Sequence, residues 1–414
     1  MQDTAQSGST IFFSKQPILD AEKRIWGYEL LGGEVKEGMF EALAVTEGAA
    51  ASMSSSTLFG LQDAMERGKK VLVAFDNKSI ASGLPRALPA EYGSIRLPEE
   101  STQSSPVMEA LGKLRSEGYQ VILDLHDDSP LPNTQVADIF AFHYNSSSVS
   151  PSFLSQETIP QTSTPLMASG LQTMDQFQQA KAAGFTLFQG PFFKEPEILE
   201  GKKLSSSEIS RINMLQIIEA HEPDLKGISE AVKADVAVSF RLLSLLNSAA
   251  FGLRQKIESV DHAVRLLGWN KLKSWLHAVI LADMAGQDDS PRELAALSMQ
   301  RGKFLESITA EYDYWGFNPE TMFLLGMFSL LDTILGMPMS EVVELLPLDA
   351  RLKASLRRDE GNDHKPLLDL IHCLEDGEWE ALDGMVNRLG FEMDIVKSSY
   401  ISAMDWSSSF FAMK

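Results

Sequence analysis

The chain has 414 residues, 44% hydrophobic and 22% charged, enough to fill two cores and too apolar for wholesale disorder. Its 57 acidic residues against 36 basic ones leave a formal charge of -21, which repels phosphate backbones and anionic lipid and argues against nucleic-acid or membrane-surface binding. Cys373 is the only cysteine, which excludes an internal disulfide framework and any multi-cysteine metal site.

The start of the chain lacks the charged-then-apolar order of a secretory signal, and no uncharged apolar run reaches the roughly 18 residues of a membrane span. The expectation is a cytoplasmic protein. Residues 1 to about 203 alternate short apolar strands with helices. IFFSKQPIL reads as a strand entering a turn and RIWGYELLG as its neighbour. KKVLVAFD, GSIRL, YQVILDL, DIFAFHY and PLMAS follow, separated by the helical LQDAMERGKK, VMEALGKLRSEG and MDQFQQAKAAG. The last two helices close on a glycine suited to a helix stop. Such alternation implies a parallel sheet covered by helices, here a (β/α) barrel whose site gathers at the C-terminal strand ends. The Ser-, Thr- and Pro-rich NSSSVSPSFLSQETIPQTSTP breaks the rhythm and reads as a loop.

Residues 204–414 turn helical throughout, from SSSEISRINMLQIIEAHE with its serine N-cap to EWEALDGMVNRLG. This half is an all-α domain, and both halves are acidic. HAVILADM and MFLLGMFSLL read as core helices, although the methionines of the second also suit an adaptable interface.

Several fragments of the first half, in order, resemble the EAL family of cyclic di-GMP phosphodiesterases. QPI at 16–18, GYELL at 27–31, DNKS at 76–79, RLPE at 96–99, VILDLHD at 121–127 and FQGPFFKEP at 188–196 carry the likeness. It implies Gln16, Glu29, Asn77, Glu99, Asp124 and Gln189 as the pocket residues. It also implies departures. Leu125 stands for the second aspartate of a pair, Ala141 for the catalytic lysine and His143 for an aspartate two residues on. Ser169 and Gln172 replace two glutamates, and Gly33 replaces a phosphate-holding arginine. Metal-assisted hydrolysis needs carboxylates that seat two divalent cations, and losing one well-placed electrostatic group costs on the order of 100-fold in rate. The bland reading of Glu29 and Asp124 is local hydrogen bonding at strand ends.

Residues 235–276 are the most distinctive stretch and resemble the HDOD family, helical modules related to HD phosphohydrolases but without their metal ligands. Asp235, Asn247, Ser248, Gly252, Ser259 and Gly268 carry the likeness, with Phe251, Ala263 and Leu267. Ser259 suits a helix N-cap and Gly268 a left-handed stop. The Asn247 side chain either cross-braces this connection or caps a helix in solvent. Residues 204–414 hold no adjacent His-Asp pair, and Ser329 and Leu330 stand where the resemblance would place one. The cations Arg254, Lys256, Arg265, Lys271 and Lys273 read as a solvated edge before they read as a DNA contact. Cys373 reads as a small hydrophobe.

The order of the two halves resembles fusions of a degenerate EAL domain to an HDOD domain. The resemblance implies a catalytically silent bacterial signalling adaptor with no metal or other cofactor. Its partner would be a histidine kinase, a response regulator or a cyclic di-GMP enzyme. The alternative is a cyclic di-GMP receptor or a weak metal-dependent phosphodiesterase.

Overall fold

The computed structural model describes residues 11–36, 39–43, 64–126, 136–144, 164–198, 203–220, 225–247, 256–257, 259–286, 288–312 and 316–410. Among them the first half forms nine strands: β1 (Ile11–Asp20), β2 (Ile25–Lys36), β3 (Met39–Leu43), β4 (Lys70–Ala74), β5 (Gly93–Pro98), β6 (Gln120–Leu125), β7 (Ile139–His143), β8 (Leu166–Ser169) and β9 (Leu187–Gln189). The sheet runs β1-β9-β8-β7-β6-β5-β4-β2-β3 and closes by pairing β1 with β2. Eight strands therefore make a barrel, and β3 extends β2 beyond it. β1 is antiparallel to both neighbours, while β2 and β4 to β9 run parallel.

The apolar runs explain this closure. Val71, Leu72 and Val73 of β4 are all buried, as a strand covered on both faces requires. Inside, Ile18, Leu72, Ile122, Ala141, Met167 and Leu187 form one core cluster. The connecting helices begin on side-chain caps. Asp76 accepts the Ser79 N–H before the helix Asn77–Ser82, and Thr173 and Gln176 make a reciprocal capping box before Met174–Ala182. After β9 the chain turns sharply at Gly190, where any Cβ would overlap the Leu171 backbone. A short 3-10 turn, Pro191–Lys194, follows. The serine-rich loop read from the sequence lies outside the described residues, apart from Thr164 and Pro165 at its end.

The rest is helical: Ser206–Ile218, Leu225–Ala234, Val236–Leu246, Val260–Leu267, Trp269–Ala285, Asp289–Glu311, Pro319–Phe328, Leu331–Leu335, Met339–Val342, Ala350–Leu356, Lys365–Asp376, Trp379–Leu389 and Met393–Ser409. The helices Asp289–Glu311 and Pro319–Phe328 approach closely at Gly302 and Gly326, where added side chains would meet the opposing backbone. Met322 and Met327 are buried in this core rather than offered to a partner. Among the described residues no single helix is long and apolar enough to cross a membrane.

The two compact units do not meet at one boundary near residue 203. One consists of Met1–Glu195 together with Asp369–Asp394, and the other of Pro196–Leu368 with Ile395–Lys414. The late segment joins the barrel through specific contacts. The Ser14 hydroxyl donates to the Glu375 carbonyl at 3.2 Å, Lys194 pairs with Glu375 and Asp376, and the helix Trp379–Leu389 packs on β3.

Candidate functional site

The parallel strands end on one rim of the barrel, and a cluster of polar side chains gathers just inside it. Arg96, two residues before the end of β5, is its centre. Its Nη1 donates to Glu29 Oε2 on β2 at 2.7 Å. Its Nη2 and Nε donate to Asp124 Oδ1 on β6 at 2.8 and 3.0 Å. Longer bonds of 3.3 Å reach Gln189 Oε1 on β9 and Ser169 Oγ on β8. Gln189 also donates through Nε2 to Glu29 Oε2 at 2.5 Å. Five strands thus contribute to one network.

Strand geometry explains the convergence. Parallel neighbours in register bring the ends of β5 and β6 level, with Pro98 opposite Asp124. Side chains alternate between faces, and Glu29 sits opposite Leu72, which belongs to the interior cluster. Burial works against the Arg96 charge, but Glu29 and then Asp124 more than offset it and raise the guanidinium further above its ordinary value. The three ionised groups sum to one net negative charge. Asp124 remains 37% exposed, whereas Glu29 is 4% exposed, so solvent reaches the network from the β6 side.

The other residues named from the sequence fall around this network. Gln16 lies opposite Glu29 in the β1–β2 pairing and is half-buried. Asn77 is exposed at the start of its helix. Glu99 opens the 3-10 turn Glu99–Gln103 after β5, and its Oε2 accepts the His126 backbone N–H at 3.4 Å. Ala141 is buried in the interior cluster, and His143 ends β7 with Nδ1 3.5 Å from Ser169 Oγ. Arg96 was the residue that sequence reasoning missed. Its signal was a charge within the apolar run GSIRLP, at a position whose inward direction needs the register to be known.

The helical half has its own buried charges. Arg211 bonds to Asp235 and to Asp283, the latter through Nε at 2.5 Å, and Arg241 also reaches Asp283 at 3.2 Å. Asp235 additionally accepts the Val238 N–H at 3.0 Å. Asn247 accepts the Ile257 N–H at 2.7 Å and donates to the Ile257 and Leu243 carbonyls, so it ties the helix Val236–Leu246 to the returning chain. Ser259 accepts the His262 N–H at 3.1 Å, the N-cap read from the sequence. Gly268 has φ 77 and ψ 162, a glycine conformation but not the left-handed helical stop expected. Ser248 and Gly252 lie outside the described residues. Ser329 accepts from the buried Arg301 at 3.1 Å. Burial pushes Glu219 toward its neutral form, yet His277 and Lys273 hold its carboxyl below its ordinary value. Cys373 is buried beside Met385, and burial, then Glu378, pushes its thiol up to about 12, far from the reactive range.

The EAL likeness implies a divalent metal centre, and the residues present do not fit one. Glu29 Oε2 and both oxygens of Asp124 already accept bonds from Arg96, so a divalent cation seated on them would have to compete with the guanidinium. Among the described residues no three His, Cys, Asp or Glu side chains converge in a way that could hold a metal.

Comparison with known proteins adds to this geometry. The model of the HDOD domain matches residues 208–346. Over 406 residues the chain is 29% identical to a protein of Vibrio cholerae named cyclic di-GMP phosphodiesterase CdgJ, covering 96% of this chain and 92% of that one. It is 28% identical over 409 residues to the uncharacterized protein YuxH of Bacillus subtilis, covering 96% and 98%. Among solved structures, an EAL domain protein from Listeria monocytogenes matches 44% of this chain and 87% of its own at 15% identity and TM-score 0.34. The Bacillus subtilis YkuI protein, with an EAL domain in complex with cyclic di-GMP and calcium, matches 62% and 72% at 14% identity and TM-score 0.34. The near full-length match to a named phosphodiesterase overturns the expectation of a non-catalytic adaptor acting through protein contacts. That expectation rested on the replaced acids, lysine and arginine and on the resemblance to degenerate fusions. The ordered strand-end motifs, the closed barrel and the HDOD match together support an EAL/HDOD fusion: a closed eight-stranded barrel followed by a helical region that carries the HDOD domain.

Proposed function

We propose that the barrel mouth is a binding site for cyclic di-GMP. The observation that carries this reading is the 29% identity, over 96% of the chain, to a protein named for that dinucleotide. The chemistry of the mouth supports it. Two phosphodiester groups call for cations, and Arg96 and Lys194 lie at the strand-end side of the barrel. Guanine edges call for amide donors and acceptors, which Gln16 and Gln189 supply. Asp124, the more exposed partner of Arg96, is the carboxylate that would yield when a phosphate takes part of the guanidinium fork.

A second reading, weak hydrolysis of the same ligand, is favoured by the relative's name. No hydrolytic step is assigned to the residues, because Arg96 occupies the carboxylates such a step would need. Calorimetry of the full chain with cyclic di-GMP, paired with chromatography for a linear product in magnesium or manganese, separates the readings. Saturable binding without product supports a receptor, and product formation supports the enzyme. Absence of both overturns the assignment of this ligand.

A further inference from the structure

We propose that residues 369–394 form a built-in cover over the barrel mouth, with Glu375 and Asp376 holding Lys194 in place of a phosphate. This rests on the reading of the mouth as a cyclic dinucleotide site.

The position of the cover follows from strand alternation. On β1, Ser14 and Gln16 share a face with Ile18, which lies in the interior cluster. On β2, Leu31 shares a face with Glu29, whose carboxylate meets Arg96 and Gln189 inside the barrel. Ser14 and Leu31 are paired with each other. Both therefore face the lumen, two residues or about 7 Å further toward the mouth than the Gln16–Glu29 pair. The cover touches these two residues. Ser14 donates to the Glu375 carbonyl at 3.2 Å. Gly377, at φ +70, lies so close to Leu31 that an added Cβ would come within 2.8 Å of its Cδ1. Residues 375–377 thus sit above the lumen and not against the outer wall. The helix Lys365–Asp376 ends there, and Trp379–Leu389 continues along β3.

The electrostatics point the same way. Lys194 Nζ donates to Glu375 Oε2 and to Asp376 Oδ1, both at 2.8 Å, with side chains 11%, 3% and 19% exposed in that order. Two carboxylates on one ammonium leave a net negative charge at the rim, which excludes an anionic ligand. Swinging the segment away withdraws two negative charges and frees one positive charge for a phosphodiester. Cover and ligand compete for the same cation, so each weakens the other by the same factor.

Two variants of the full chain test this. In Glu375→Gln/Asp376→Asn the cover loses its hold on Lys194, and cyclic di-GMP affinity by calorimetry rises roughly 10-fold. Leu31→Cys/Gly377→Cys, in a Cys373→Ala background, locks the cover, since the two Cβ positions lie 3.3 Å apart, near the spacing of a disulfide. Oxidised protein loses affinity by about 100-fold or more and regains it on reduction. Equal affinity in the oxidised and reduced forms overturns the cover. If no form binds the dinucleotide, the ligand assignment fails, and hydrogen exchange then judges the cover alone. Amides of 369–394 exchanging faster than the barrel strands, and faster still in the charge variant, sustain it. Exchange in step with the barrel strands in both proteins overturns it.

Discussion

Both compact units pin one arginine between two carboxylates from separate elements, and the two arrangements differ in what surrounds them. In the helical unit Arg211 joins Asp235 and Asp283, with side chains 9%, 17% and 12% exposed. In the barrel Arg96 joins Glu29 and Asp124, with 14%, 4% and 37%. The first is mostly shielded and ties the helix Ser206–Ile218 to the helix Trp269–Ala285 and to the residue before Val236–Leu246. The second is sealed at Glu29 and open at Asp124. A buried ion pair is weak evidence for function; a half-open one at the strand ends of a barrel, where ligands are met, is stronger. The same chemical device thus serves as a rivet in one unit and as a latch in the other.

The largest expected effect breaks the rivet. Arg211→Ala leaves Asp235 without its cation and Asp283 with Arg241 alone, and costs the helical unit about 3–5 kcal/mol, read as loss of its denaturation transition while the barrel strands keep their exchange protection. If the cost is below about 1 kcal/mol, the triad is solvated and the contrast with Arg96 disappears.

Arg96→Ala has a smaller effect, about 2–3 kcal/mol on the barrel, because water can reach Asp124 once the guanidinium is gone. It also sharpens the comparison. Millimolar manganese raises the melting temperature of this variant and not that of the wild type, since only the variant offers Glu29 and Asp124 unclaimed. An equal response in both proteins would show that the metal acts elsewhere.

The smallest effect concerns pH. His364 packs against Phe317, with Nδ1 2.8 Å from Ser355 Oγ. Burial, and then Arg351, hold its imidazole below the ordinary 6.5. As pH falls through 6.5 the unfolded chain takes up this proton before the folded one does. The contribution is therefore complete above 6.5 and declines below it. Thermal melts at pH 7.5 and 5.5 should show His364→Gln less sensitive to acid than the wild type, with no such difference in the Arg96 unit.

What the sequence made legible was local. KVLVA, GSIRLP and QVILDL announce buried strands because both faces are covered, and Ser205 and Ser259 announce helix starts because each cap acts within three residues. Glu29, Asp124 and Gln189 were found through their place in ordered motifs, and the barrel brings them together. Arg96 was passed over in favour of Glu99, three residues on, because only the strand register shows that β5 ends at Pro98 and that Glu99 belongs to the following turn. The compact units differ from a single boundary near 203 for a related reason. Nothing local in IHCLEDGEW says that Glu375 will answer Ser14, 361 positions away.

That distant return makes the barrel unit discontinuous, and this bears on how the protein is born. A ribosome releases β1 to β9 early, yet the piece that finishes their unit emerges only after the HDOD region has left the tunnel. Until then Ser14 and Lys194 wait for their late companions, so the mouth matures after the HDOD region rather than before it.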